Sequence, residues 1–334
     1  MELSAPYLLF LGDARDELAA KTALGIAKWR PDLCIGQWRS KDCAADAGVP
    51  DLNIPQAVAQ GAKTMIIGVA NAGGVLPPEW TLTIVEGLNN GLDVASGLHT
   101  RLNSVPDIQA ASETTGQRLI DVRVPDREYP VGNGRPRTGR RVLTVGTDCS
   151  VGKMYTALAV EREMSRRGVT ARFCATGQTG IFIASSGVPV DAIPADFISG
   201  SVETLAPESA PDHWDLVEGQ GSLFHPSFAG VSLGLLHGAQ PEALILCHEP
   251  TRAHMRGLPD QPLPDLHTCM ETNLNAARLT SPNVIFTGVA VNTSALAPDA
   301  AAACLGQIET EFGLPAVDPV TTGVGPLVDA LLAL

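Results

Sequence analysis

The sequence has too little positive charge to be drawn to a polyanion. Its 23 basic residues face 36 acidic ones, for a net charge of -13, and no basic run stands out. A phosphate backbone is gripped by neutralising it with Lys and Arg, so nucleic acid and anionic membrane surfaces are not expected partners. Long apolar runs are missing as well. The first, Tyr7 to Leu11, stops at Gly12 and Asp13. That is short of a signal-peptide core, and no later stretch reaches the roughly 20 apolar residues that cross a bilayer. The expected location is the cytoplasm. Cysteine pairs are absent too: Cys34, Cys43, Cys149, Cys174, Cys247, Cys269 and Cys304 form no C-x-x-C motif. Several sit in apolar, strand-like runs, as buried free thiols do. No H-x-x-x-H or mixed Cys/His spacing points to zinc, and no metal is expected. The chain shows no internal repeat and no low-complexity tract.

What is present is a globular composition, 45% hydrophobic and 18% charged over 334 residues, enough for two domains with separate cores. Short apolar runs ("YLLFLG", "LCIGQW", "TMIIGVA", "LDVASGLH") alternate with helical patterns. Parallel neighbours need crossovers and crossovers bring helices, so the predicted fold class is α/β, beginning with a Rossmann-like parallel-sheet domain at 1–138. The Pro- and Gly-rich stretch "PDREYPVGNGRPRTGRR", with several charges, has no apolar periodicity and reads as a linker at about 125–138. The alternation then resumes ("RVLTVGT", "ARFCATG", "WDLVEGQG", "EALILCHE", "NVIFTGVAVN") and predicts a second α/β domain at 139–334.

The second domain opens on "GTDCSVGKMYT". Gly146 to Lys153 match G-x-x-x-x-G-K, a turn between buried strand and helix that aims backbone N–H groups and the positive end of the helix dipole at one point. Polyphosphate is the natural guest. Met154 stands where a Ser or Thr ordinarily ligates Mg²⁺, and a thioether is a poor ligand for a hard cation. Phosphoryl transfer is weakened by that residue, while binding of a phosphate-bearing ligand without magnesium remains open. Glu218, in "WDLVEGQGS", is expected at the carboxyl edge of a strand, where ligands of open α/β sheets bind. With the loop it resembles dethiobiotin synthetase and related P-loop proteins, whose acidic strand ends in a similar V-E-G.

Over nearly the whole chain, the order of "CIGQWRSKDCAADAGVP", "GLDVASGLHTRL", "VGTDCSVGKMYT", "ATGQTGI", "PADFISGSVE", "LVEGQGSLFHP" and "HEPTRAHMRG" looks like the DgcN family, which includes a D-glutamate N-acetyltransferase. The resemblance implies a P-loop NTPase-like second domain and an acyltransferase of D-amino-acid catabolism. Its substrates would be acetyl-CoA and D-glutamate, and its product N-acetyl-D-glutamate. Self-association is expected of an α/β enzyme of this size, with no residue to set the number of subunits. Two other readings stay open: a magnesium-ATP kinase or ligase of the dethiobiotin-synthetase type, with the ion on Asp148 or Glu218, and a nucleotide-gated binding protein.

Amine attack on a thioester needs a proton acceptor, oxyanion donors and a pocket for two carboxylates. Glu218 is the first-ranked acceptor, with Asp148 and His225 as alternatives, and Lys153 adds charge. The coenzyme-binding set on the loop is Gly146, Thr147, Cys149, Ser150, Val151, Gly152, Lys153, Met154 and Tyr155. Cys149, ahead of a helix N-terminus and near Lys153, is expected to have a lowered pKa and offers an acetyl-cysteine route, though direct transfer is preferred. Arg39 and Lys41 in "QWRSKD" and Arg252 in "PTRAHMR" are candidate carboxylate-binding cations. Gln178 and Gln220 complete the substrate-binding set.

Overall fold

The computed structural model describes residues 3–69, 76–125 and 127–334. Asp126, inside the expected linker, and Ala70, at the end of "TMIIGVA", lie outside the described residues. The chain divides into two compact units, Met1–Asp126 with Gln178–Ala192, and Arg127–Gly177 with Ile193–Leu334.

The first unit alternates β1 (Tyr7–Gly12), α1 (Lys21–Trp29), β2 (Cys34–Arg39), α2 (Ile54–Ala59), β3 (Thr64–Ile67), α3 (Pro78–Asn89), β4 (Asp93–Ser96), α4 (Pro106–Thr115) and β5 (Leu119–Asp121). Its 5-stranded sheet is parallel, in the order β2-β1-β3-β4-β5. Tyr7 to Leu11 are buried throughout, as expected of a central parallel strand covered on both faces.

The second unit contains β6 (Arg140–Gly146), α5 (Lys153–Arg166) and β7 (Ala171–Cys174). The chain then crosses into the first unit for α6 (Gln178–Ala184), whose Ile181, Phe182 and Ile183 are buried. There Thr179 shares a hydrogen bond with Thr22 of α1 (3.0 Å), Arg30 donates to Ile183 O (3.1 Å), and Arg123 pairs with Asp191 (2.5 Å). After that excursion follow α7 (Ile198–Leu205), β8 (Trp214–Val217), α8 (Ala229–Ala239), β9 (Ala243–His248), α9 (Leu266–Ala277), β10 (Ile285–Val291), α10 (Pro298–Phe312), β11 (Ala316–Val317) and α11 (Gly325–Leu332). The 6-stranded parallel sheet runs β11-β10-β9-β6-β8-β7. Gly146 of β6 pairs with Cys247 of β9, and Val291 of β10 with His248, so these carboxyl ends share one edge.

The Pro- and Gly-rich stretch after Asp126 is bound down rather than loose. Asn133 N and Gly134 N donate to Glu203 of α7 (3.0 and 2.9 Å), and Arg137 donates to Glu203 O (3.2 Å), Ala206 O and Gly238 O (2.6 Å). A half-buried guanidinium holding carbonyl ends of α7 and α8 satisfies acceptors that have no partner within their own helices.

Candidate functional site

The carboxyl end of β6 leads into the glycine loop and then the N-terminus of α5. Gly152 sits at φ +101°, a conformation that a side chain resists, and stands at the helix N-cap with no side chain capping it. The first intrahelical bond is Thr156 N to Gly152 O (2.9 Å), so the N–H groups ahead of Thr156 open onto the loop. Lys153 is buried, its Nζ donating to Asp148 O at 2.7 Å. Burial pulls its pKa down, against the nearby thiols and carboxylates that favour the charge. Met154 and Tyr155 are half-buried in the same first turn, and burial raises the Tyr155 phenol.

Asp148 is fully buried and holds the loop closed. Its Oδ1 accepts from Cys149 N (2.6 Å), while Oδ2 accepts from Arg252 Nη1 (2.8 Å) and Arg256 N (2.7 Å). Arg252 also donates to Cys149 O (2.6 Å) and Ser150 O (3.3 Å) and pairs with Glu249, and Arg256 reaches the Ser150 hydroxyl. Ser150 takes a positive φ, +54°, which this clasp stabilises. Arg252 is therefore a brace for the loop, its fork already filled.

His225 faces the same side. Its Nδ1 accepts from Ser227 N (3.2 Å), so Nε2 carries the proton and donates to Arg256 O (3.1 Å). Both ring nitrogens are engaged within the protein. Asp148, Cys149 and His225 place one ligand atom each within 4.8 Å of one another. A divalent ion there would have to displace a guanidinium and backbone N–H groups from Asp148, and break the His225 hydrogen bonds.

Glu218 follows β8 and is buried. Oε2 accepts from Thr176 N (2.9 Å) and Gly177 N (3.1 Å), and Gln220 bonds both this carboxylate and the Thr176 hydroxyl (3.1 Å). Burial pushes its pKa from 4.5 to about 7, outweighing those hydrogen bonds and the Lys153 charge. Gly219 fixes the turn: its N–H donates to Thr144 Oγ1 (3.0 Å), and a Cβ there would fall 1.7 Å from Thr144 O and 3.0 Å from Lys153 Cδ. Only glycine lets β6, β8 and the lysine stem approach so closely, and this sets Glu218 and Lys153 side by side.

The Cys149 expectation is overturned in direction. Its thiol pKa is raised, because desolvation exceeds the pull of Lys153, Arg256 and Arg252 while Asp148 adds repulsion. The remaining candidates belong to the first unit. Arg39, at the end of β2, makes a bidentate pair with Asp51 (2.7 and 2.5 Å) and also donates to Ala45 O (3.1 Å). Lys41 is exposed two residues on. Gln178 opens α6 and packs against Gly97 after β4, where a Cβ would clash with it.

The scan against family models matches residues 130–328 to a DUF1611 C-terminal P-loop domain and residues 36–125 to a DUF1611 N-terminal Rossmann-like domain, both described as domains of unknown function. The chain belongs to the DUF1611 family. A family protein from Anabaena variabilis, solved by crystallography, is similar to it with a TM-score of 0.90 at 30% identity, covering 99% of this chain and 100% of that one. A protein from Tritonibacter scottomollicae is 53% identical over 99% of this chain and 100% of its own length. A second, from a Pseudoalteromonas species, is 46% identical over 98% and 99% respectively. Both are named D-glutamate N-acetyltransferase.

In this DUF1611 protein two neighbours of the loop escaped the sequence reading. His248, ending β9, shares a hydrogen bond with Thr147 Oγ1 (3.1 Å), and burial and Arg252 push its pKa down to about 4, so it is a neutral strut. Ser222 donates to Thr147 O (3.2 Å). The available signal was position, since His248 ends an apolar strand and Ser222 follows another, and those strand ends share the loop's edge.

Proposed function

We propose that this protein transfers the acetyl group of acetyl-CoA to the amine of D-glutamate, giving N-acetyl-D-glutamate. The observation that carries the reading is the pair of near-full-length relatives bearing the name D-glutamate N-acetyltransferase. The site supports it chemically. An uncapped helix N-terminus with Lys153 suits the coenzyme diphosphate, and Met154 removes the hydroxyl that phosphoryl transfer uses on magnesium.

Glu218 is the proposed base. A carboxyl with a pKa of about 7 is matched to proton transfer near neutrality. The amine nitrogen attacks the thioester carbonyl carbon, and Glu218 takes the proton that nitrogen sheds. As the carbonyl re-forms the carbon–sulfur bond breaks, and Glu218 returns that proton to the departing sulfur. Backbone N–H groups from Cys149 to Lys153 are the proposed diphosphate cradle, with Gly146, Thr147, Met154 and Tyr155 around it. Gln220, bonded to Glu218, is the residue proposed to orient the substrate. Arg252 and Asp148 act through the loop they hold. Transfer is direct, because a thiol kept protonated by burial is a poor nucleophile.

The test is thiol release from acetyl-CoA with D-glutamate, L-glutamate, D-aspartate and D-glutamine in parallel. D-glutamate is expected to give the highest kcat/KM. No turnover with D-glutamate, together with stabilisation against heat by magnesium-ATP but not by CoA, would replace this reading with the kinase or ligase one.

A further inference from the structure

Away from Glu218, the second unit holds a cavity of about 700 Å³, within the usual size of small-molecule sites. It lies where β10 and β11 end. Leu296, Ala301, Leu305, Val317 and Pro326 give it apolar walls, and the hydroxyl-bearing residues Thr293, Ser294, Thr321 and Thr322 line its other side. The hydroxyl side is a built structure. Buried Asp318 accepts from Thr293 N (3.0 Å) and Thr293 Oγ1 (2.6 Å) through Oδ2, and from Val320 N (2.8 Å) and Thr321 N (3.1 Å) through Oδ1. Thr322 Oγ1 donates to Asp318 O and accepts from Asp318 N, both at 3.0 Å. These bonds fix the loops that line the cavity, and hydrogen bonding draws the Asp318 pKa down against burial.

We propose that this cavity receives the adenine of the coenzyme and leaves the 3′-phosphate in solvent. The inference rests on the acetyl-CoA reading above. Sheet order supplies the direction. Glu218 follows β8 on one side of β6, whereas β9, β10 and β11 lie on the other. A coenzyme held by its diphosphate at the loop after β6 must send its thioester toward Glu218, so its nucleoside points the opposite way. Two strand spacings, on the order of 10 Å, separate the end of β6 from the end of β10, a gap that a ribose and its glycosidic bond bridge. An apolar slot edged with hydroxyls suits a flat, uncharged heterocycle. A phosphate dianion finds no Lys or Arg among the described lining residues, and Glu309 there would repel it.

Calorimetric titration of the whole protein with CoA, dephospho-CoA and inorganic pyrophosphate tests this. CoA and dephospho-CoA should bind within about threefold of each other. Ala301→Phe, which fills the slot, should weaken both at least tenfold while leaving pyrophosphate affinity and the ligand-free melting temperature unchanged. Leu305→Trp serves in its place if that variant does not fold. CoA binding tenfold or more tighter than dephospho-CoA, or wild-type CoA affinity in the filled variants, would overturn the assignment while leaving the acetyltransferase reading intact. Wild-type protein that binds neither CoA nor pyrophosphate would overturn the underlying reading itself.

Discussion

Two buried carboxylates stand on neighbouring strand ends of the second unit, and their surroundings give them opposite characters. Asp148 is saturated by a guanidinium and two backbone N–H groups, and the geometry of the loop depends on it. Glu218 accepts from backbone N–H groups and an amide, with its nearest cation, Lys153, committed to Asp148 O. Burial then dominates and brings its pKa to about 7. A filled set of charge-assisted bonds makes a brace, and an incomplete one makes a proton carrier.

Replacing the carrier should have the largest effect. Glu218→Gln keeps the hydrogen-bond acceptor and removes the base, and should lower kcat about a thousandfold with little change in CoA affinity by calorimetry. It should also alter the pH dependence of stability. A carboxyl whose folded pKa is raised contributes stability fully below its unfolded value near 4.5 and loses it as pH rises through about 7. Wild type should therefore weaken over that window, by on the order of 3 kcal/mol, and Glu218→Gln should not, as denaturant midpoints would reveal. Lys153→Ala should come next, raising the dissociation constant for CoA about a hundredfold; an unchanged constant would remove the diphosphate from this loop.

Breaking the brace should act on stability first. Arg252→Ala leaves Asp148 buried beside two N–H donors without its guanidinium partner, costing about 3 kcal/mol in chemical denaturation. The smallest effect is expected at Cys149. Cys149→Ser should retain kcat within about threefold, and mass spectrometry of wild type mixed with acetyl-CoA alone should find no acetylated enzyme. A trapped acetyl group on Cys149 would reverse the preference for direct transfer.

Much of this contrast was legible in the chain, because it is written locally. A buried strand, a glycine turn and an amphipathic helix declare the loop within residues 140–166, and "DLVEG" puts an acid at a strand end. Direction of titration was not legible. For Cys149 a nearby lysine argues one way and burial the other, and burial is a tertiary property. Nor was the role of Arg252, whose partner Asp148 is 104 positions away; spacing offers no sign of which cation a folded chain will fill. The excursion of Gln178–Ala192 into the first unit escapes for a similar reason. "QTGIFIA" looks like any short apolar helix, and the surface it covers, around Thr22 and Arg30 of another segment, is set by the fold.

The most direct test of the central claim is the pH profile of kcat/KM for D-glutamate, followed by CoA thiol release in wild type and Glu218→Gln. Deprotonation of the substrate amine gives both proteins a rise with pH. Wild type should climb more steeply below about pH 7 than above it, because Glu218 must also lose its proton, and the variant should show a single shallower slope at much lower rate. An identical break near pH 7 in both proteins would contradict Glu218 as the group that takes the proton.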